Sequence, residues 1–187
     1  MKRTFFSLAL LLAVATLTAQ TKMTAREAAV KIADRILAST TYEFKNTKTG
    51  EIYKSVKKLP LDMDVKVACK YNNWHYTNGV TNMALMELGD KLGDKKYEKY
   101  VLKNMNFVFN EGNLDFFRKQ YDEAFKRDGW NAVRKLSWHM IFRGKRLDDN
   151  GPMGASLIEL QLKYPNDSFL GYINETAEHL NYGEPRL

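Results

Sequence analysis

Two 24-residue stretches decide the fold: TNGVTNMALMELGDKLGDKKYEKY (77–100) and DNGPMGASLIELQLKYPNDSFLGY (149–172). They repeat at an offset of 72 residues. Asn78-Gly79 falls on Asn150-Gly151, and Ala84-Leu85-Met86-Glu87-Leu88 on Ser156-Leu157-Ile158-Glu159-Leu160. Gly93-Asp94 falls on Pro165-Asn166, Tyr97 on Phe169 and Tyr100 on Tyr172. Each stretch reads as a helix, a tight break and a second, amphipathic helix. In the first, Val80, Met83, Leu85, Met86, Leu88 and Leu92 cover nearly every face, the pattern of a buried helix. After Gly93, a stripe of Tyr97, Tyr100, Val101, Met105, Val108 and Phe109 makes an outer helix. Pro152 suits a first helical turn, so the second repeat should be helical over Met153–Tyr164. A hairpin used twice is the signature of a helical-repeat architecture, either an open solenoid or a closed toroid. The interruption at residues 113–146, expected to hold helices near Phe116–Lys126 and Trp130–Ile141, disfavours a solenoid.

Upstream, Thr24 and Glu27 form a capping box for a helix reaching about Ser39. Asn46 to Gly50 reads as a turn, and Val65 and Val67 alternate with charged neighbours as in a short strand. Met1-Lys2-Arg3, an apolar run from Phe5 to Leu17 and the small residues before Gln20 have the layout of a secretory signal peptide cleaved after Ala19. That predicts a periplasmic or secreted protein whose mature part spans 20–187. Removing 19 of 187 residues leaves 168, enough for one domain with its own core. Cys69 is the sole cysteine, so no intramolecular disulfide can form.

The formal net charge is +7, or +5 once Lys2 and Arg3 leave with the signal. A basic exported protein suits anionic partners such as uronic-acid sugars, nucleic acid or a membrane surface, beside the plainer reading of a solvated basic surface. The basic residues are spread along the chain without an aromatic-interleaved run, so nucleic acid is not expected as a partner. No second apolar segment is long enough to hold the mature chain in a membrane. No metal-ligand spacing, phosphate loop or nucleophile elbow is present, and no cofactor is expected.

The polar segments just before the two repeated helices carry the candidate chemistry. Trp74 and Tyr76 fit either a stacking platform for a sugar ring or ordinary core packing. Asp148 and Asp149 fit either helix caps or a binding site for sugar hydroxyls. At a helix N-terminus the macrodipole keeps such carboxylates ionised, which favours accepting hydrogen bonds over donating a proton. His75 and His139 have the pKa of acid–base groups but no nameable partner.

Trp-x-Tyr-x-x-Gly-Val opening one buried helix, then Gly-Asp-x-x-Tyr, then Leu-Asp-Asp-x-Gly-Pro-Met-Gly-Ala opening another, resembles the unsaturated glycuronyl hydrolases. The closest similarity is to glycoside hydrolase family 105, the unsaturated rhamnogalacturonyl hydrolases, with family 88 as sister group. It covers about Trp74 to Leu187. The resemblance implies an all-α fold of the (α/α)6 toroid family, represented here by an incomplete barrel of two to three hairpins. It implies a substrate with a Δ4,5-unsaturated galacturonyl residue at its non-reducing end. In the family an Asp hydrates the C4=C5 bond, and the hemiketal rearranges and expels the aglycone. Asp148 matches the aspartate that binds the unsaturated ring and supports catalysis, and Tyr76 an aromatic of the sugar subsite. Trp74, Asn78 and Asp149 match near-site, substrate-binding positions. The proton-transferring Asp of a later Trp-x-Asp-x-x-x-Met segment has no counterpart, so the chain is expected to be a fragment, inactive alone, that self-associates through exposed half-barrel faces. The alternatives are an exported, non-enzymatic helical-repeat binding module and a different (α/α)6 enzyme, such as an epimerase or lyase.

Overall fold

The computed structural model describes residues 23–143 and 147–183, without the side chains of Glu111, Leu147, Asp148 and Asp149. The signal-peptide segment lies outside the described residues. The chain divides into two units, one through Ile32 and one from Ala33 onward.

In the first unit the capping box is present as expected. Glu27 N–H donates to Thr24 Oγ1 at 3.2 Å, and Thr24 N–H donates back to Glu27 Oε2 at 2.8 Å. It opens helix α1, Ala25–Ser39.

The second unit begins with a small antiparallel sheet: β1 (Phe44–Asn46), β2 (Ile52–Tyr53) and β3 (Val65–Val67), in the order β2-β1-β3. The turn at Asn46 forms because its Oδ1 accepts from the Lys48 and Thr49 amides, a side-chain substitute for backbone turn bonds. Phe44 pairs with Val67 across the sheet and stacks on Phe107.

Helices then dominate. They are α2 (Tyr76–Leu92), α3 (Lys96–Val108), α4 (Glu111–Val133), α5 (His139–Arg143), α6 (Leu147–Lys163) and α7 (Asp167–Glu178). Beyond the small sheet the fold is all-α. The hairpins α2–α3 and α6–α7 are the two sequence repeats, broken at Gly93 and at Asn166, whose side chain caps α7. The expected α3 stripe is buried throughout, from Tyr97 to Phe109, and Phe169 and Tyr172 are buried on α7.

The two inner helices, α2 and α6, pack side by side and run in the same direction. Near their starts the Gly79 backbone lies against Pro152 and Met153. Near their ends Lys163 Nζ bonds Asp90 at 2.8 Å and reaches Glu98 of α3 at 2.9 Å. A Cβ at position 79 would sit 2.4 Å from the Pro152 carbonyl carbon, so only glycine permits this approach. Glu98 is buried and also accepts from the Tyr164 hydroxyl. Those two donors hold its carboxyl below the usual glutamate range.

Four expectations need correction. First, α2 is not buried on every side: Val80 is 55% exposed, and Met83 is exposed with it. Ile158 and Leu162 of α6 are exposed as well. Second, α4 begins at Glu111, earlier than expected, because the Asn110 side chain caps it by accepting from Asn113 N–H. It also runs through Trp130 to Val133 after a kink at Asp128-Gly129, leaving α5 only five residues. Third, α6 begins at Leu147, so Pro152 lies inside the helix, where Gly151 before it has no Cβ to clash with the ring. Fourth, Asp148 and Asp149 therefore stand in the first turn of α6 and not ahead of it.

Candidate functional site

The parallel packing of α2 and α6 brings the two polar segments to one end of the helix pair. Tyr76, the first residue of α2, is 46% exposed. Its ring lies 4.6 Å from that of His75, centroid to centroid. His75 is the N-cap: its Nδ1 accepts from Thr77 N–H at 3.4 Å and lies 2.9 Å from Thr77 Oγ1. Its ring nitrogen is engaged in holding the helix start, the structural alternative to acid–base work.

Trp74 is a core residue, 1% exposed. Its ring meets Tyr172 and Phe109 edge-on at 4.8 and 5.7 Å. Its Nε1 donates to Asn150 Oδ1 at 3.2 Å. No face is left for a sugar, so of its two sequence-level roles core packing is the one realised. Asn78 is likewise buried, and its amide donates to the Lys70 and Asn73 carbonyls at 2.9 and 2.6 Å. It tethers the loop before α2, and its placement among substrate-binding residues is corrected accordingly.

Asn150 and Tyr172 escaped the sequence reading. Asn150 Oδ1 accepts from both Trp74 Nε1 and the Tyr172 hydroxyl, the latter at 2.8 Å. This buried node ties the loop before α2 to the first turns of α6 and to α7. Burial pushes the Tyr172 phenol up to about 12. The signal was present in Asn150-Gly151 matching Asn78-Gly79, but the two asparagines do different work: one serves backbone carbonyls, the other side-chain donors.

Of the five candidate positions, then, Tyr76 presents an exposed surface, Trp74 and Asn78 are packing residues, and the Asp148 and Asp149 side chains lie outside the described residues. Beside the start of α2, Lys70, Tyr71, His75, Thr77 and Thr81 border a shallow pocket of about 300 Å³. Its cation and hydroxyls could bond sugar oxygens. His139 Nδ1 lies 2.8 Å from the Leu136 carbonyl oxygen, and Cys69 is a buried thiol against the Ser39 carbonyl. Among the described residues no three His, Cys, Asp or Glu side chains converge as a metal site would require. Among them, too, no helix is long and apolar enough to cross a membrane.

No protein-family model and no curated protein sequence matches this chain.

Proposed function

We propose that the chain supplies the sugar-binding rim of an unsaturated glycuronyl hydrolase of the rhamnogalacturonyl type. In this reading α2–α3 and α6–α7 are successive hairpins of an (α/α)6 ring. Asp148 holds the Δ4,5-unsaturated galacturonyl ring at the rim while the C4=C5 bond is hydrated, and Tyr76 lines the subsite. The supporting observation is the parallel pairing of the two inner helices, with Gly79 seated on Pro152 and Met153. It brings segments 74–79 and 147–151, 72 residues apart in sequence, to the same end.

The chemistry follows from the helix terminus. An ionised Asp in a first turn is stabilised by the unpaired amides and dipole of the helix. It is suited to accept hydrogen bonds from ring hydroxyls and poorly suited to deliver a proton. Hydration needs a general acid as well, worth roughly 10²-fold or more in rate. None of the matched positions supplies one. The chain by itself therefore binds the unsaturated sugar and does not turn it over.

Titration of the protein with unsaturated rhamnogalacturonan disaccharide tests this. Saturable binding is expected, weakened about tenfold in Asp148→Asn by loss of a charge-assisted bond. The ultraviolet absorbance of the double bond should not fall. Binding that is absent, or indifferent to Asp148→Asn, would sink the proposal. Turnover would show that proton transfer resides within this chain.

A further inference from the structure

The loop between β3 and α2 is pinned by buried donors. Its middle, Lys70–Asn72, is a single 3-10 turn. The buried Asn72 amide donates to the Thr41 carbonyl, which ties the turn to the chain leaving α1. Trp138 Nε1 donates to the Asn72 carbonyl at 2.7 Å. Asn78 Nδ2 donates to the carbonyls of Lys70 and Asn73. Buried side chains thus satisfy the backbone of a surface loop, and the loop is held in one shape.

Lys70 and Tyr71 stand on this turn as a ridge between two hollows, since both residues border both. On one side is a hollow of about 360 Å³, bordered also by Arg35 and Ser39 of α1 and by Thr41. On the other is the shallow pocket at the start of α2, with Asn73, His75 and Thr77. Among the described residues no acidic side chain borders either hollow. Neither Arg35 nor Lys70 has a carboxylate partner among them. Asp34, next to Arg35 in sequence, is engaged with Lys96 at 2.8 Å. The Lys70 ammonium lies 5.1 Å from the Tyr71 ring centroid, a cation–π contact that steadies it on the ridge. The hollow beside Val80 and Met83 is the contrast: Glu87, Asp90 and Glu159 border it, a charge that repels anions.

We propose that the two hollows form one groove for an acidic oligosaccharide, with a carboxylate between Arg35 and Lys70 and sugar hydroxyls on Ser39, Thr41 and Thr77. A guanidinium and an ammonium on one hollow, with no acid to neutralise them, favour an anion there. The hydroxyls, amide and imidazole around them both donate and accept, as recognition of sugar hydroxyls requires. Tyr76 follows His75 and contacts its ring, so the groove lies at the same end of α2 as the proposed sugar subsite. The groove takes saturated residues beyond the unsaturated one, an extension that rests on that reading. Arg35, Thr41 and Lys70 precede the stretch from Trp74 that carries the family resemblance, so the family motifs do not supply them. A nucleic acid is disfavoured, because two cations do not make the continuous track that a phosphate backbone needs.

Calorimetric titration with a saturated rhamnogalacturonan tetrasaccharide tests the proposal, beside the same sugar with its carboxyls reduced to alcohols. The salt is set at about 0.1 M, where exposed charges more than about 10 Å apart are screened. The expected result is saturable binding of the acidic sugar and at least about tenfold weaker binding of the reduced one. Arg35→Gln and Lys70→Gln should each weaken the acidic sugar about tenfold. Both side chains are exposed, so the variants keep the thermal midpoint of the parent. Lys45→Gln removes an equal charge from an exposed position of β1 outside the groove, and should change binding by less than about twofold. Absent binding, equal binding of the reduced sugar, an equal loss in Lys45→Gln, or tighter binding of a single-stranded oligonucleotide would overturn it. The tetrasaccharide has no C4=C5 bond, so failure here leaves the Asp148 reading standing, and failure with the unsaturated disaccharide leaves the groove to be judged on its own titration.

Discussion

Replacing Gly79 by alanine puts one methyl group where α2 meets α6. An ideal Cβ there would lie 2.4 Å from the Pro152 carbonyl carbon, 2.5 Å from Met153 N and 2.7 Å from the Pro152 oxygen. All three are backbone atoms, so no rotamer change relieves the contact and the helices themselves must separate. Overpacking of this kind costs about 1–3 kcal/mol, and rigid backbone neighbours argue for the upper end. Alanine returns at most about 1 kcal/mol through its better helix propensity. The net loss is about 2 kcal/mol, a fall in melting midpoint of about 4–8 °C for a domain of this size. Gly171→Ala is the matched control: it also lies within a helix, and its Cβ would meet nothing within 4 Å. It should gain about 0.5–1 kcal/mol. Thermal and urea unfolding followed by circular dichroism compares the two. If Gly79→Ala stabilises the protein as Gly171→Ala does, the close approach of α2 and α6 is wrong, and with it the shared end on which the functional proposal stands.

Further outcomes follow from the buried polar groups. Asn150→Ala strands two buried donors, Trp74 Nε1 and the Tyr172 hydroxyl, and should cost about 2–4 kcal/mol in urea unfolding; an unchanged midpoint would remove Asn150 from its bridging role. In the parent protein the raised Tyr172 pKa means the unfolded phenol ionises near 10 while the folded one waits until about 12, so its contribution to stability should be lost between those values. Glu98→Gln keeps the shape and removes the charge facing Lys163 and Tyr164, with an expected loss of about 2 kcal/mol at neutral pH. The Glu98 carboxyl is held below its unfolded value, so its contribution is present above about pH 4.5 and fades on acidification below it. Parent and variant should converge at low pH, and a gap that persists there would show that the loss is steric.

Local rules made much of the fold legible. The Thr24–Glu27 capping box, the Asn46 turn, the Val65–Val67 strand and the α3 stripe depend on neighbours within a few residues, and each is found where the sequence puts it. The start of α6 is misplaced because Pro152 is a strong local signal for a first turn, whereas the helix starts at Leu147 and carries the proline inside it. The open face of α2 was misread for a related reason. Val80 and Met83 are as apolar as Leu85 and Met86, and composition cannot say which side of a helix finds a partner.

The site divides along the same line. Trp74, His75 and Asn78 look functional in sequence because polar-tipped side chains cluster before a helix, yet His75 and Asn78 satisfy backbone groups at the helix start and in the loop before it, and Trp74 bonds the buried Asn150 side chain. Tyr76 differs from them in having no such duty among its described contacts beyond the His75 ring, and it keeps half its surface in solvent. The groove along Lys70 and Tyr71 inverts the case. Arg35, Thr41 and Lys70 are spaced at no interval a motif would flag, and the Asn72 bond to the Thr41 carbonyl is what holds the loop beside the end of α1 so that they border one hollow.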